Sequence, residues 1–134
     1  MMKTMLKCKI HRATVTDAVL HYEGSVTIDK TLMDAAGLVE YEEVHIWNVD
    51  NGNRFTTYAI GGEADSGVIC LNGAAARQVS KGDLVIIASF SAYDEKELEH
   101  FQPTLVYVDG KNRITSVKRK VESESQRPRV AAAV

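Results

Sequence analysis

The stretch Val44-His45-Ile46-Trp47-Asn48-Val49-Asp50-Asn51-Gly52-Asn53, followed by residues 54–60, decides the fold class of this 134-residue chain. Residues 44–49 alternate largely between apolar and polar side chains, as a half-buried strand does. Asn51-Gly52 tolerates the positive φ angles of a tight hairpin turn. We therefore predict an antiparallel hairpin whose returning strand, if it has no bulge, places Arg54, Thr56 and Tyr58 on one face and Phe55, Thr57 and Ala59 on the other.

The rest of the chain also reads mainly as β structure. Further strands are predicted at about Met5 to Thr16, entering a turn near Asp17, and at Val68 to Leu71, Leu84 to Phe90, Thr104 to Val108 and Arg113 to Val117. The strand from Leu84 is the most continuously apolar, so we expect it to be fully buried. Lys9 and His11 should share one face of the first strand.

Helical segments are few and short. Asp29 and Gly37 are typical of the N-cap and the C-terminal end of one helix, residues 72–76 suit a single turn, and residues 94–99 suit a solvated helix. Six or more short strands with two or three helical turns favour a closed or nearly closed barrel over a layered α/β sheet. We expect one barrel domain over residues 1–117 and a polar, disordered tail over residues 118–134.

Composition narrows the function classes. With 16 basic and 18 acidic residues, the net charge of −2 gives no field that would recruit nucleic acid or a membrane surface. Apolar runs fall short of the ~20 residues of a membrane span, and lysines interrupt the start of the chain, so we expect a cytoplasmic protein. Cys8 and Cys70 lack C-x-x-C spacing and are expected to be reduced, packed thiols.

Common catalytic motifs are absent from the sequence. It has no G-x-x-x-x-G-K-[ST], no G-x-G-x-x-G after a strand, no H-E-x-x-H and no G-x-S-x-G. Its four histidines lack metal-ligand spacing, so no metal is expected. An enzyme of this sequence would need another electrophile or nucleophile.

Gly24-Ser25 is either an ordinary turn or a bond that the chain cuts itself. Cleavage would need the Ser25 hydroxyl held in line with the Gly24 carbonyl, because a free serine hydroxyl is a poor nucleophile. Gly24 leaves that carbonyl open, and we expect a strained or positive-φ bend there. The two interpretations are compatible, because a tight turn can present the bond for attack.

Several short motifs follow one another between about Met5 and Val108. They are Met5-Leu6, Lys9-Ile10-His11-Arg12, Tyr22-Glu23-Gly24-Ser25, Ile46-Trp47-Asn48-Val49, Asn51-Gly52, Arg54-Phe55-Thr56-Thr57-Tyr58, Asn72-Gly73-Ala74-Ala75-Ala76 and Gly82-Asp83-Leu84-Val85-Ile86-Ile87. In this order they resemble the pyruvoyl-dependent aspartate 1-decarboxylases, which make β-alanine for pantothenate. The resemblance implies a six-stranded double-psi β-barrel, a homotetramer with active sites between subunits, and self-cleavage into a β chain (1–24) and an α chain (25–134).

The resemblance also implies the chemistry of the site. Ser25 becomes a covalently bound pyruvoyl group that forms a Schiff base with L-aspartate, so neither PLP nor a metal is expected. Thr57 is the expected oxyanion donor during cleavage, and Tyr58 the proton donor in catalysis. Arg54, with Lys9 as second cation, should bind the side-chain carboxylate of aspartate, because tight binding of the departing α-carboxylate would slow the reaction.

The remaining implied residues bind substrate or shape the pocket. The substrate-binding set includes Thr57, Asn72, Gly73, Ala74 and Ala75, and the pocket wall His11, Tyr22, Trp47 and Ile86. Thr57 and Tyr58 adjoin and would point apart on a flat strand, so we predict a bend between them.

Two other functions stay open on the sequence. A non-catalytic β-barrel could bind a ligand, or nucleic acid through the basic stretch Lys111 to Arg129, and would keep its chain intact. A pyruvoyl decarboxylase could act on another amino acid, although the pair of Arg54 and Lys9 favours a diacid. Cleavage could be spontaneous or assisted by a maturation factor.

Overall fold

Nine strands carry the fold in the computed structural model, which describes residues 1–122. They are β1 Lys3–Thr14, β2 Asp17–Val19, β3 Ser25–Asp29, β4 Glu43–Asn48, β5 Arg54–Gly62, β6 Ile69–Asn72, β7 Leu84–Tyr93, β8 Thr104–Val108 and β9 Ile114–Lys118. The helices are α1 Lys30–Ala36, α2 Glu95–Leu98 and a 3₁₀ helix, Gly73–Gln78. The predicted mainly-β class with a few short helices is confirmed.

The strands close into a barrel of six strand positions. Their order is β2-β6-β3-β5-β4-β7-β1-β8-β9. Only two residues separate β1 from β2, and we treat the two strands as one strand position. Its first part, β1, pairs with β7, and its end, β2, pairs with β6. The closed circuit is therefore β1/β2, β6, β3, β5, β4 and β7, as predicted. The hairpin of β8 and β9 lies outside it, paired with β1.

Helix α1 directly follows barrel strand β3 and has the predicted caps. The Asp29 carboxylate accepts a hydrogen bond from the Thr31 amide at 2.8 Å, and Gly37 has the left-handed φ of 79° that ends a helix. The buried Asp29 carboxylate also accepts from the amides of Asp65 and Gly67. One side chain therefore fixes both the start of α1 and the loop that follows β5.

The core lies inside the barrel, where β-branched and aliphatic side chains from opposite strands meet. Ile10, Ile46 and Ile87 are register partners across β1, β7 and β4, and all three are fully buried. Burial of each such side chain stabilises the fold by about 1.5–3 kcal/mol. The expectation that Leu84 to Phe90 is fully buried was wrong, because β7 alternates between the core and the outside. Leu84 and Ile86 are only half-buried, and Phe90 is 37% exposed.

Two short strands were missed. Instead of a simple turn near Asp17, β2 pairs in parallel with β6, and β3 was not predicted at all. Both have parallel partners far away in the sequence, a pairing that local patterns do not reveal. At the other end, β9 extends to Lys118, one residue past the predicted domain boundary. Residues 123–134 of the predicted tail lie outside the described residues.

Candidate active site

Ser25 is the first residue of β3 and is completely buried, whereas Gly24 before it is exposed. The Ser25 hydroxyl donates to the Glu23 carbonyl at 3.3 Å and accepts a hydrogen bond from the Asn72 amide nitrogen Nδ2 at 2.9 Å. The Gly24–Ser25 bond thus crosses from solvent into the barrel wall. The Ser25 hydroxyl is held from two sides next to the exposed Gly24, and a fixed position of the nucleophile is one requirement for attack on a neighbouring bond.

Asn72 is itself held by its neighbours. Its Nδ2 also donates to the Thr27 hydroxyl at 3.0 Å, and its Oδ1 accepts from the Cys70 thiol at 3.3 Å. Thr27 and Cys70 are register partners across β3 and β6, as Ser25 and Asn72 are. Sequence reasoning missed Thr27 and Cys70. Recognition of β3 and of its pairing with β6 would have found them. Thr27 lies two residues after Ser25 on β3, and Cys70 lies two residues before Asn72 on β6.

Gly73 lies against the backbone of Tyr22 and Gly24, next to the bond that was predicted to be cut. Its φ is +67°, and a Cβ at this position would lie 2.7 Å from the Gly24 Cα and 2.8 Å from the Tyr22 carbonyl oxygen. Only glycine accommodates both the left-handed φ and this approach. A strained or positive-φ bend was expected at Gly24. The positive φ was wrong, because Gly24 does not have one, and a Cβ there would meet nothing within 4 Å.

A small cavity gathers one group of predicted site residues. It has a volume of about 260 Å³ and is lined by Gly24, Phe55, Thr56, Thr57, Ala74, Ala75 and Gln78. Together with Ser25, Asn72 and Gly73, its residues Gly24, Thr57, Ala74 and Ala75 form what we call the Ser25 group. Thr57 is half-buried and lies on the same cavity as the bond that it was predicted to serve.

The other predicted residues lie on the outer face, the side of β1, β7, β4 and β5 opposite the core. Registers place Lys9, Ala88, His45 and Thr56 in one row across it, Ile86, Trp47 and Arg54 in the next, and Glu43 with Tyr58 in a third. A bulge in β1 sets His11 and Arg12 against Ile86. Lys9, His11, Trp47, Arg54, Tyr58 and Ile86 form what we call the outer group.

Aromatic contacts order the outer group. The Arg54 guanidinium lies 4.7 Å from the centre of the Trp47 ring, a cation–π distance. The Tyr58 and Tyr41 rings are 6.1 Å apart beside a cavity of about 500 Å³. His11 contacts the Tyr107 ring edge-on at 5.4 Å. Tyr22 is 63% exposed, close to Gly73 through its carbonyl.

Thr57 of the Ser25 group and Tyr58 of the outer group adjoin on β5, and both line the cavity of about 500 Å³ together with Tyr41, Glu43 and Thr56. The ladder of β5 with β4 runs from Arg54 to Tyr58 without a register shift. Thr57 therefore points to the side of buried Val44, and Tyr58 to the side of Glu43. The bend predicted between Thr57 and Tyr58 has no counterpart in this ladder, because both residues keep their regular pairing.

The two thiols are protonated at neutral pH. Burial raises the pKa of Cys8 to about 11, and burial followed by the nearby Asp17 charge raises the pKa of Cys70. Cys70 can therefore act as the hydrogen-bond donor to Asn72. Within residues 1–122, no cluster of three His, Cys, Asp or Glu side chains could hold a metal ion, and no helix is long and apolar enough to cross a membrane.

Comparison with known proteins identifies the family. The family model described as "Aspartate decarboxylase" matches residues 1–115. The chain belongs to the aspartate decarboxylase family. Among curated aspartate decarboxylases, the "Aspartate 1-decarboxylase" of Syntrophus aciditrophicus is 63% identical over 114 residues, covering 85% of this chain and 98% of that protein. The enzyme of the same name from Dehalococcoides mccartyi strain 195 is 60% identical over 121 residues, covering 90% and 98%.

The aspartate decarboxylase match spans both groups of site residues, since all of them precede residue 115. Among solved structures, the "rationally designed mkDPBB_sym_86 protein" aligns with a TM-score of 0.44 and 17% identity, covering 57% of this chain and 90% of that one. The family resemblance inferred from the ordered motifs is confirmed, and the double-psi β-barrel it implies agrees with the closed six-position sheet.

Proposed function

We propose that this chain decarboxylates L-aspartate at its α-carboxylate to give β-alanine and CO₂ for pantothenate biosynthesis, after it cuts its own Gly24–Ser25 bond. Family membership supports the activity. The observation that carries the proposal is the position of the buried Ser25 hydroxyl. It is held between Asn72 Nδ2 and the Glu23 carbonyl, and Ser25 directly follows the exposed Gly24.

In the proposed cleavage, Ser25 Oγ attacks the Gly24 carbonyl carbon. A C–O bond forms, the peptide C–N bond breaks, and the hydroxyl proton passes to the released amine. In the following β-elimination, Ser25 Cα loses its proton, the Cβ–O bond to the Gly24 carboxylate breaks and a Cα=Cβ double bond forms, since a carboxylate leaves far more readily than hydroxide. Hydrolysis of the resulting dehydroalanine releases ammonia and leaves a pyruvoyl group at the start of the α chain.

Three residues of the Ser25 group assist this cleavage. Asn72 fixes the Ser25 oxygen, and Gly73 lets the polypeptide backbone press against Gly24. Thr57, on the shared cavity, donates to the oxyanion that develops on the Gly24 carbonyl. Loss of one such donor typically costs ~3–4 kcal/mol in the transition state.

The residues around Ser25 also suit the prosthetic group. A pyruvoyl group supplies an electrophilic carbonyl that takes up the substrate amine and accepts the electrons left by CO₂. Burial of Ser25 keeps this carbonyl from bulk water. Arg54 and Lys9 bind the side-chain carboxylate of the substrate, and the Tyr58 phenol supplies the proton that replaces CO₂.

We propose that the active site forms between two copies of the chain, within a homotetramer. The side chains of Thr57 and Tyr58 alternate across β5, although both line the cavity of about 500 Å³. The rest of the Ser25 group lies around the cavity of about 260 Å³, whereas the rest of the outer group lies on the outer face of β1, β7, β4 and β5. One substrate molecule can meet both groups when the outer face of one copy lies over the Ser25 cavity of another. The exposed Tyr41 and the half-buried Tyr58 and Trp47 supply apolar surface for such a contact.

A β-alanine assay on three proteins tests the proposed function. We expect wild type to convert L-aspartate, but not L-glutamate, without added PLP, and Ser25→Ala to stay uncut and inactive. Ser89→Ala is the matched control, because Ser89 is also buried and donates to Glu42 away from the site. It should be cut and active. Cleavage of Ser25→Ala, or an inactive wild type even after incubation with cell extract, would overturn the proposal.

A further inference from the structure

An aromatic row lies beside Arg54 on the outer face. The Trp47 ring contacts the Arg54 guanidinium at 4.7 Å, and its centre lies 6.3 Å from the centre of the Phe90 ring. Phe90 in turn meets the His45 ring edge-on at 5.2 Å. These spacings are those of interacting aromatic pairs. Phe90 therefore packs against the same Trp47 ring that Arg54 contacts.

Arg54 depends on this row for its orientation. It is exposed, and it takes part in none of the salt bridges among residues 1–122. A long side chain on the surface has many rotamers, and only some of them present the bidentate fork to a carboxylate. Trp47 restricts those rotamers if its own ring is fixed, and β7 fixes it by placing Phe90 against it.

We propose that Phe90 is a positioning residue for substrate binding: by packing against Trp47, it holds the Arg54 guanidinium in the orientation that binds the substrate's side-chain carboxylate. The inference rests on the proposed function through the role of Arg54. It assigns no contact with the substrate to Phe90. Phe90 has no recognisable role in the sequence, because its packing against Trp47 appears only when β4 and β7 are paired.

The kinetic test uses the fully processed enzyme. Arg54 binds the side-chain carboxylate in the ground state and in the transition state alike, so a loosened Arg54 raises KM and leaves kcat unchanged. We expect Phe90→Leu to raise the KM for L-aspartate about three- to tenfold, the range of one aromatic or cation–π contact. Phe90→Tyr, which keeps the ring, should retain the wild-type KM. If Phe90→Leu does not fold, Phe90→Met replaces it.

Phe101→Leu is the matched control. Phe101 also packs against an aromatic ring, that of Tyr93 at 4.9 Å, but in the segment that follows α2. It should leave KM unchanged. A double-mutant cycle then separates positioning from general destabilisation: in a Trp47→Leu background, Phe90→Leu should add nothing further to KM, because the ring through which it acts is gone.

A binding measurement separates failure of this inference from failure of the proposed function. Trp47 is the chain's one tryptophan, so its fluorescence reports on the row. Succinate, a dicarboxylate without an amine, should change the emission of wild type, and its half-saturation concentration should rise in Phe90→Leu by the same factor as KM. This readout needs no turnover, so it tests the row even in a protein that makes no β-alanine.

Three results would overturn the inference. They are an unchanged KM and succinate affinity in Phe90→Leu, a Phe90→Tyr variant as impaired as Phe90→Leu, and full additivity of the two substitutions in the double-mutant cycle.

Discussion

The hydroxyl of Ser25 keeps its orientation through a single side chain, that of Asn72. We predict that Asn72→Ala slows cleavage strongly, because the buried hydroxyl loses its donor. Loss of a buried hydrogen-bond partner costs about 1–3 kcal/mol, so the melting temperature should fall too. Asn112→Ala is the control: Asn112 is equally buried, but it bonds Thr14 and Gly67 instead. The Asn112→Ala variant should have a lower melting temperature, yet timed electrophoresis should show cleavage at the wild-type rate. Equal slowing in both variants would assign the effect to stability alone.

Gly73 provides a second test at the residue scale. In Gly73→Ala the new Cβ would overlap the Gly24 backbone, and alanine would be forced into a left-handed φ. We therefore expect impaired cleavage and a free energy of unfolding lower by about 1–3 kcal/mol. Gly52→Ala has a similar φ of +77° but open space around its Cβ. Thermal unfolding should show a smaller loss for Gly52→Ala, and mass spectrometry should show normal cleavage. Unimpaired cleavage in Gly73→Ala would contradict the role given to this contact.

The sequence motifs predicted individual site residues, which stay predictions, but not the surroundings of those residues. The ordered motifs gave Ser25, Asn72 and Gly73, but not the reason why position 73 must be glycine, which is the backbone of Tyr22 and Gly24. A strained or positive-φ bend was expected at Gly24, because this glycine precedes the bond that is proposed to be cut. Which of two glycines bends depends on their packing, and packing is set by strands distant in the sequence.

At the scale of elements, one carboxylate joins β1, β7 and the end of α1. Lys7 Nζ donates to Glu42 Oε2 at 2.8 Å and to the Gly37 carbonyl at 2.9 Å, and the Ser89 hydroxyl donates to Glu42 at 2.6 Å. Burial acts to raise the pKa of Glu42, but the hydrogen bonds from Lys7 and Ser89 lower it below its usual 4.5.

This shift predicts an acid-sensitive contribution to stability. A carboxyl whose pKa is lower in the folded state stabilises the fold above its unfolded pKa, and that contribution is lost as the pH falls through the folded pKa. Between about pH 5 and pH 3, the free energy of unfolding of wild type should therefore fall more steeply than that of Glu42→Gln. Urea titrations over this range measure both slopes. Parallel slopes would show that Glu42 makes no such contribution.

Elements with local signals could be predicted, and those defined by distant partners could not. The β4–β5 hairpin and α1 each contain their own turn or cap, at Asn51-Gly52 and at Asp29 and Gly37. Strands β2 and β3 are short and pair in parallel with β6 and β5, so no local alternation or turn identifies them. The missed strands affected the prediction of the site most, because Ser25 is the first residue of β3.

For the whole molecule, the separation of the Ser25 group from the outer group predicts complementation between inactive variants. Ser25→Ala lacks the prosthetic group and Arg54→Ala lacks the carboxylate-binding cation. If sites form between copies, a co-expressed mixture contains sites with Arg54 from one chain and Ser25 from the other, and about a quarter of wild-type activity should return. The assay is β-alanine formation by the purified mixture, with each variant alone as control. No recovery in verified mixed oligomers would place the complete site within one chain.

Sequence motifs predicted the site residues, and these stay predictions; the register of one chain was needed to show that they fall into two groups. The periodicity of β5 already implied opposite faces for Thr57 and Tyr58, and we expected a bend to reunite them. The regular ladder has no such bend, so the proposed site between copies is left to the complementation experiment.

Self-cleavage at Gly24–Ser25 is the central claim, and intact-mass analysis of the purified, denatured protein tests it most directly. We predict two chains, residues 1–24 and 25–134, with the second lighter by one ammonia than the same chain beginning with serine, because its first residue has become a pyruvoyl group. A single uncut chain of 14.8 kDa, both alone and after incubation with cell extract, would contradict the account.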